Sequence, residues 1–79
     1  MIFLIEYDRA RGEIVRLDTF PDSERHAAEE ARLEIEIGLN RNEVDREVVI
    51  LEAESEEALR RTHRRYFESL TELVTPSSR

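Results

Sequence analysis

Two unbroken apolar runs constrain this chain more than any other feature: IFLI at residues 2–5 and VVIL at residues 48–51. Side chains alternate between the two faces of a β-strand, so a strand with one wet face reads apolar-polar. Four apolar residues in a row require cover on both faces. In the first run and its continuation, Phe3, Ile5 and Tyr7 share one face while Ile2 and Leu4 share the other. The fold must therefore supply material on two sides of at least two strands.

The rest of the chain is read around those runs. EIVRLDTF at residues 13–20 is a further strand, separated from the first by the polar loop DRARG. That loop ends in Gly12, which predicts a β-hairpin with its last loop residue at positive φ. Pro21 stops the second strand, and Asp22 or Ser23 is placed to cap a helix. The helix is predicted to run from about residue 23 to about 37, ending near Gly38 or Asn40. Its buried stripe is Ala27, Ala28, Ala31, Ile35 and Leu39.

The stretch from Leu33 to Leu39 alternates apolar and charged residues, which is the period of a strand. Alanine and glutamate dominate the two preceding turns and favour helix. In the helical reading, Leu33 and Ile37 line up with His26 and Glu30 on the side away from the sheet. His26, Leu33 and Ile37 are accordingly a candidate interface. A polar connection over residues 38–46 leads to the third strand. Ser55 then caps a last helix, with Glu56 and Glu57 in its first turn. Leu59, His63, Tyr66, Leu70 and Leu73 form its apolar stripe. A second capping box spans Ser69 to Glu72.

The expected fold class is α+β, with element order β-β-α-β-α in a single domain over residues 1–74 and a frayed tail at 75–79. The three-stranded antiparallel sheet takes the order 2-1-3, and both helices are expected on one face. That arrangement leaves one apolar sheet face bare. A second copy of the chain is the simplest cover for it, which predicts a homodimer. Helices on opposite faces would remove this need.

Composition narrows the function classes. The 79 residues include 19 acidic and 12 basic side chains, for a net charge of −7, and every basic residue is arginine. With no cysteine and two histidines, disulfides and thiolate metal sites are excluded, and neither a metal nor a cofactor is expected. MIFLI lacks the basic flank of a signal peptide, and no apolar run approaches a membrane span, so the expected setting is cytoplasmic.

The octet RRTHRRYF at residues 60–67 is the one concentration of positive charge. Arg60, Arg61, Arg64 and Arg65 fall on one helical face, a pattern that can bind nucleic acid or another anionic partner. Against that, Glu56 and Glu57 stand four residues before Arg60 and Arg61 and form intrahelical pairs. The acidic surroundings also repel a polyanion. His63 lies in the apolar stripe, and no motif places a nucleophile beside it. The sequence thus points to a small non-enzymatic homodimer that works by protein contact with an unidentified partner. A nucleic-acid-associated regulator using the arginine face is the alternative.

Overall fold

The computed structural model describes residues 1–67. Strand β1 (Ile2–Asp8) and strand β2 (Glu13–Phe20) form the hairpin, followed by a 3-10 turn (Asp22–Glu24) and helix α1 (Arg25–Arg41). Strand β3 (Glu47–Glu52), helix α2 (Glu56–Thr62) and a second 3-10 turn (Arg64–Tyr66) complete the order. The sheet order is β2-β1-β3, antiparallel throughout, as expected. Leu70 and Leu73, the capping box at Ser69 and the tail lie outside the described residues.

The hairpin closes as its sequence predicts. Gly12 adopts φ 68 and its N–H donates to the Asp8 carbonyl at 2.8 Å, while the Asp8 carboxylate accepts from the Arg11 N–H at 3.1 Å. A bulge follows, because Glu6 pairs with Arg16 whereas Tyr7 pairs with Ile14, leaving Val15 without a partner.

The ladders assign every strand residue to a face. Phe3, Ile5 and Tyr7 stand beside Leu51, Val49 and Glu47 of β3; Ile2, Leu4 and Glu6 stand beside Glu52, Ile50 and Val48. Residues directly opposite each other point the same way. Leu59 and Tyr66 join Phe3, Ile5 and Tyr7 in one core, with Ile14, Leu17, Val49 and Leu51 packed against it. Ile2 and Leu4 are fully buried yet stand outside that core. Their cover is α1, which crosses the sheet from β2 to β3, buries Ala28 completely, and joins Arg25 to Glu52 on the Ile2 face.

The helices therefore occupy opposite faces, not one face as expected from sequence. The physical reason lies in β1 itself: each face carries large apolar side chains, and dividing the two helices buries both sets within one chain. The apolar face that a second copy was expected to cover is thus already covered.

Residues 33–39 are helix, which settles the ambiguous alternation. The start of α1 differs from expectation, because neither Asp22 nor Ser23 caps it through a side chain; Asp22 pairs instead with the N-terminal amine at 2.8 Å. Its end also runs past Gly38. The Val44 N–H bonds the Leu39 carbonyl at 2.9 Å and the Glu43 N–H bonds the Asn40 carbonyl at 3.2 Å, which is a Schellman closure. The left-handed position that such a closure requires is held by Glu43, at φ 57.

Glycine and glutamate are therefore transposed relative to their local preferences. A Cβ built on Gly38 meets nothing within 4 Å. Gly38→Ala should stabilise the domain by about 1 kcal/mol, and Glu43→Gly by roughly half that. Urea unfolding followed by circular dichroism reads both; a loss of stability in either would contradict this account of the α1 terminus. Leu59→Ala, which empties the core on the α2 side, should cost about 3 kcal/mol.

Candidate functional site

The octet at residues 60–67 does not form one helical face. Helix α2 starts as predicted, with the Ser55 hydroxyl accepting from the Ala58 N–H at 3.1 Å. It ends at Thr62, whose hydroxyl donates back to the Ala58 carbonyl at 3.1 Å and the Leu59 carbonyl at 3.3 Å. His63 leaves helical geometry at φ −125, ψ 53. Arg60 and Arg61 thus belong to the helix, whereas Arg64 and Arg65 belong to the following turn.

Each branch has its own local chemistry. Arg60 donates twice to Glu56, at 3.1 and 2.8 Å, and its guanidinium lies 4.5 Å from the centre of the Phe67 ring. Arg61 pairs with Glu57 at 3.3 Å. Both are the intrahelical pairs expected from the spacing. A shallow groove lined by Glu57, Arg60, Arg61 and Arg64 lies between the branches.

Arg65 enters a cluster that sequence reasoning missed. The Tyr66 hydroxyl donates to the Glu47 carboxylate at 2.6 Å, and Arg65 donates to the same carboxylate at 2.9 Å and to the Tyr66 oxygen at 2.7 Å. The Arg9 guanidinium approaches the other Glu47 oxygen at 3.6 Å. The Tyr7 ring meets the Tyr66 ring edge-on at 5.1 Å, and its hydroxyl donates to the Arg65 carbonyl at 3.4 Å. Glu47 faces Tyr7 in the β1–β3 ladder, so the sheet register itself assembles this group. The signal available in sequence was a tyrosine and a glutamate at the ends of two strands, which is meaningful only once their pairing is known.

The cluster ties the turn after α2 to β3. The Tyr66 hydrogen bond, opposed by burial and helped by Arg65 and Arg9, holds the Glu47 carboxyl below its ordinary value. Burial, then the hydrogen bond to Glu47 and its charge, pushes the Tyr66 hydroxyl above its ordinary value. Both shifts favour an ionised carboxylate facing a protonated hydroxyl, the charge states that keep this hydrogen bond. His63 sits half-buried with its ring 6.5 Å from that of Tyr66 and bonds no carboxylate among the described residues. No group of three metal-ligating side chains occurs among the described residues. No helix among them is long and apolar enough to cross a membrane.

The other predicted candidates are brought together as expected. His26, Leu33 and Ile37 share the outer ridge of α1, where His26 meets Glu30 at 3.1 Å. Leu33 and Ile37 are 56% and 49% exposed.

A second feature missed from sequence is the outer edge of β3, which no other strand among the described residues pairs. The Ala53 N–H donates to the Met1 carbonyl at 3.1 Å, which fixes the phase of the β1–β3 ladder. Hydrogen-bonded and non-hydrogen-bonded pairs alternate along antiparallel strands. Glu47, Val49 and Leu51 therefore direct their backbone groups to β1, while Val48 and Ile50 direct theirs outward. Those outward groups have no partner among the described residues, and the four central residues of this edge carry no charge. The β2 edge differs in kind, since it carries the Val15 bulge and the charged residues Glu13, Arg16 and Asp18.

On the Ile2 face near the β3 edge, Glu6 is buried to 7% exposure and accepts from Arg46 at 2.6 Å. The Arg46 Nε is buried and has no acceptor among the described residues. Comparisons with protein-family models, with curated proteins and with solved structures find no match to this chain.

Two outcomes follow for these pairs. Folding lowers the Glu47 pKa, so its stabilising contribution is complete above the ordinary value of 4.5 and is lost as pH falls through the folded value. Tyr66 works in the opposite sense: its contribution is complete below 10.0 and is lost as pH rises through the raised folded value. Glu47→Gln should be clearly less stable than the wild type at about pH 7, with the two converging at about pH 2. A constant gap across that range would remove Glu47 from the acid limb. Arg46→Ala leaves a buried carboxylate unpaired and should cost about 3–5 kcal/mol, whereas a double Glu6→Leu, Arg46→Leu variant should recover most of it.

Proposed function

We propose that this domain acts by protein contact, self-associating as a homodimer and performing no chemistry of its own. The observation that carries this reading is the outer edge of β3: an uncharged four-residue run with outward backbone groups unpaired among the described residues. Such an edge is a template for another strand, and proteins that avoid pairing usually blunt it with charge, proline or a bulge. Among the described residues, β2 is blunted in this way and β3 is left open. The premise derived from sequence, a bare sheet face, is replaced by an open sheet edge.

The nucleic-acid reading draws less support. Arg60, Arg61 and Arg65 are matched to Glu56, Glu57 and Glu47, so a polyanion would have to displace each carboxylate. The absence of cysteine suits a cytoplasmic setting.

Sedimentation velocity at micromolar concentration should give the mass of two copies. Val48→Pro removes an outward N–H without touching a bond to β1, because proline is tolerated where an edge N–H faces solvent. It should return the monomer mass with its circular dichroism retained. A wild-type chain that stays monomeric would remove the proposal. Gel retardation of random DNA or RNA at low salt, abolished by Arg61→Ala, would favour the alternative.

A further inference from the structure

We infer that the occupant of the β3 edge is the β3 strand of a second copy, running antiparallel about a two-fold axis through Val49. This rests on the self-association proposed above and specifies its geometry. Parity restricts the pairing. Only Val48, Ile50 and their even-numbered neighbours direct N–H and C=O outward, so hydrogen bonds form only when even residues of one copy face even residues of the other. Any register that sets even against odd leaves the outward groups without partners.

Parity also fixes which faces join. Residues directly opposite each other share a face, so the Phe3 side of one copy continues into the Phe3 side of the other. The two α2 helices then lie over one face of a six-stranded sheet, and the two α1 helices lie over the opposite face. The two-fold axis is perpendicular to the sheet, and the interface is isologous.

Charge selects among the permitted registers. With Val49 on the axis, Val48 faces Ile50 of the partner subunit, and Arg46 faces Glu52 of the partner subunit. Both members of the charged pair project from the Ile2 face, beside their existing contacts to Glu6 and Arg25. The register thus builds a row of alternating sign: Glu6, Arg46, then Glu52 and Arg25 of the partner subunit. It also presents a carboxylate to the guanidinium whose Nε has no acceptor among the described residues. Moving the axis to Ile50 would set Glu52 against Val48 of the partner subunit and bring Arg46 only to Glu54 of the partner subunit, which lies past the end of β3. Moving it to Val48 would set Glu52 against Val44 of the partner subunit; the facing of Arg46 and Glu52 is lost in both.

Amide exchange of the wild-type protein tests this directly. Above the association concentration, the Val48 and Ile50 amides should slow at least tenfold relative to dilute protein, while Val49 and Leu51 stay protected at both concentrations. Because the chain has no cysteine, single substitutions give an independent reading. Opposed non-hydrogen-bonded residues bring their Cα atoms to about 4.5 Å, within disulfide reach. Val49→Cys should therefore oxidise to a covalent dimer, whereas Ile50→Cys and Leu33→Cys should not. If sedimentation gives a dimer but Leu33→Cys cross-links and the Val48 and Ile50 amides exchange freely, the α1 ridge is the interface; this inference then falls while self-association stands. Slowed exchange at Val48 and Ile50 only when an extended peptide of another protein is added would likewise overturn the self-pairing. A monomer at every concentration would end both.

Discussion

Burial of β1 on both faces is the constraint from which the rest of the molecule follows. Ile2, Phe3, Leu4 and Ile5 are all inaccessible to solvent, an arrangement a single covering layer cannot produce. The chain meets it by sending α1 over one face as it crosses between the sheet edges, then returning α2 over the other. Each end of β1 also creates a polar obligation. Glu6 continues the Ile2 face and needs Arg46; Tyr7 continues the Phe3 face and receives Tyr66 edge-on. The clamp around Glu47 thus extends the central strand's pleat into polar chemistry.

The elements that could be read from sequence are those fixed by neighbouring residues. The hairpin at Gly12, the Ser55 cap and the strand order all depend on short-range chemistry or on connection lengths. The helix faces were not legible in the same way. Alternation in β1 states that two faces need cover, but it does not name which element supplies each. The early end of α2 is similar: Tyr66 and Arg65 turn toward Glu47, nearly twenty positions away, and no local signal at His63 marks that pull. Gly38 misled more simply, since the closure it suggested is made by Glu43 at a strained φ. For the candidate site, the ridge of His26, Leu33 and Ile37 was legible from helical spacing. The β3 edge was not, because outward hydrogen-bonding groups appear only when the ladder's phase is known.

The charge pattern gains a physical meaning from the same geometry. Arg9, Arg16, Arg25, Arg46, Arg60, Arg61 and Arg65 each stand against a carboxylate. At these positions positive charge is matched locally, and the net charge of −7 is what the chain presents at longer range. Exposed pairs of this kind contribute little individually to stability. The pairs at Glu6, which is buried, and Glu47, which is partly buried, differ: Arg46 ties the start of β3 to the central strand through Glu6, and Tyr66 and Arg65 tie the turn after α2 to β3 through Glu47.

The Val15 bulge has a consequence that reaches beyond the hairpin. A strand-pairing domain with two receptive edges has a valence of two, and its copies add end to end without limit. The bulge kinks β2 out of the flat geometry that a neighbouring strand requires, and Arg16 and Asp18 add charge along the same edge. In the homodimer proposed above, the domain has a valence of one. Under the proposed pairing, the assembly is complete when two copies meet, because the joined sheet then ends in a β2 strand on each side. In that proposed assembly, one unpaired residue in a hairpin separates a closed particle from a fibre.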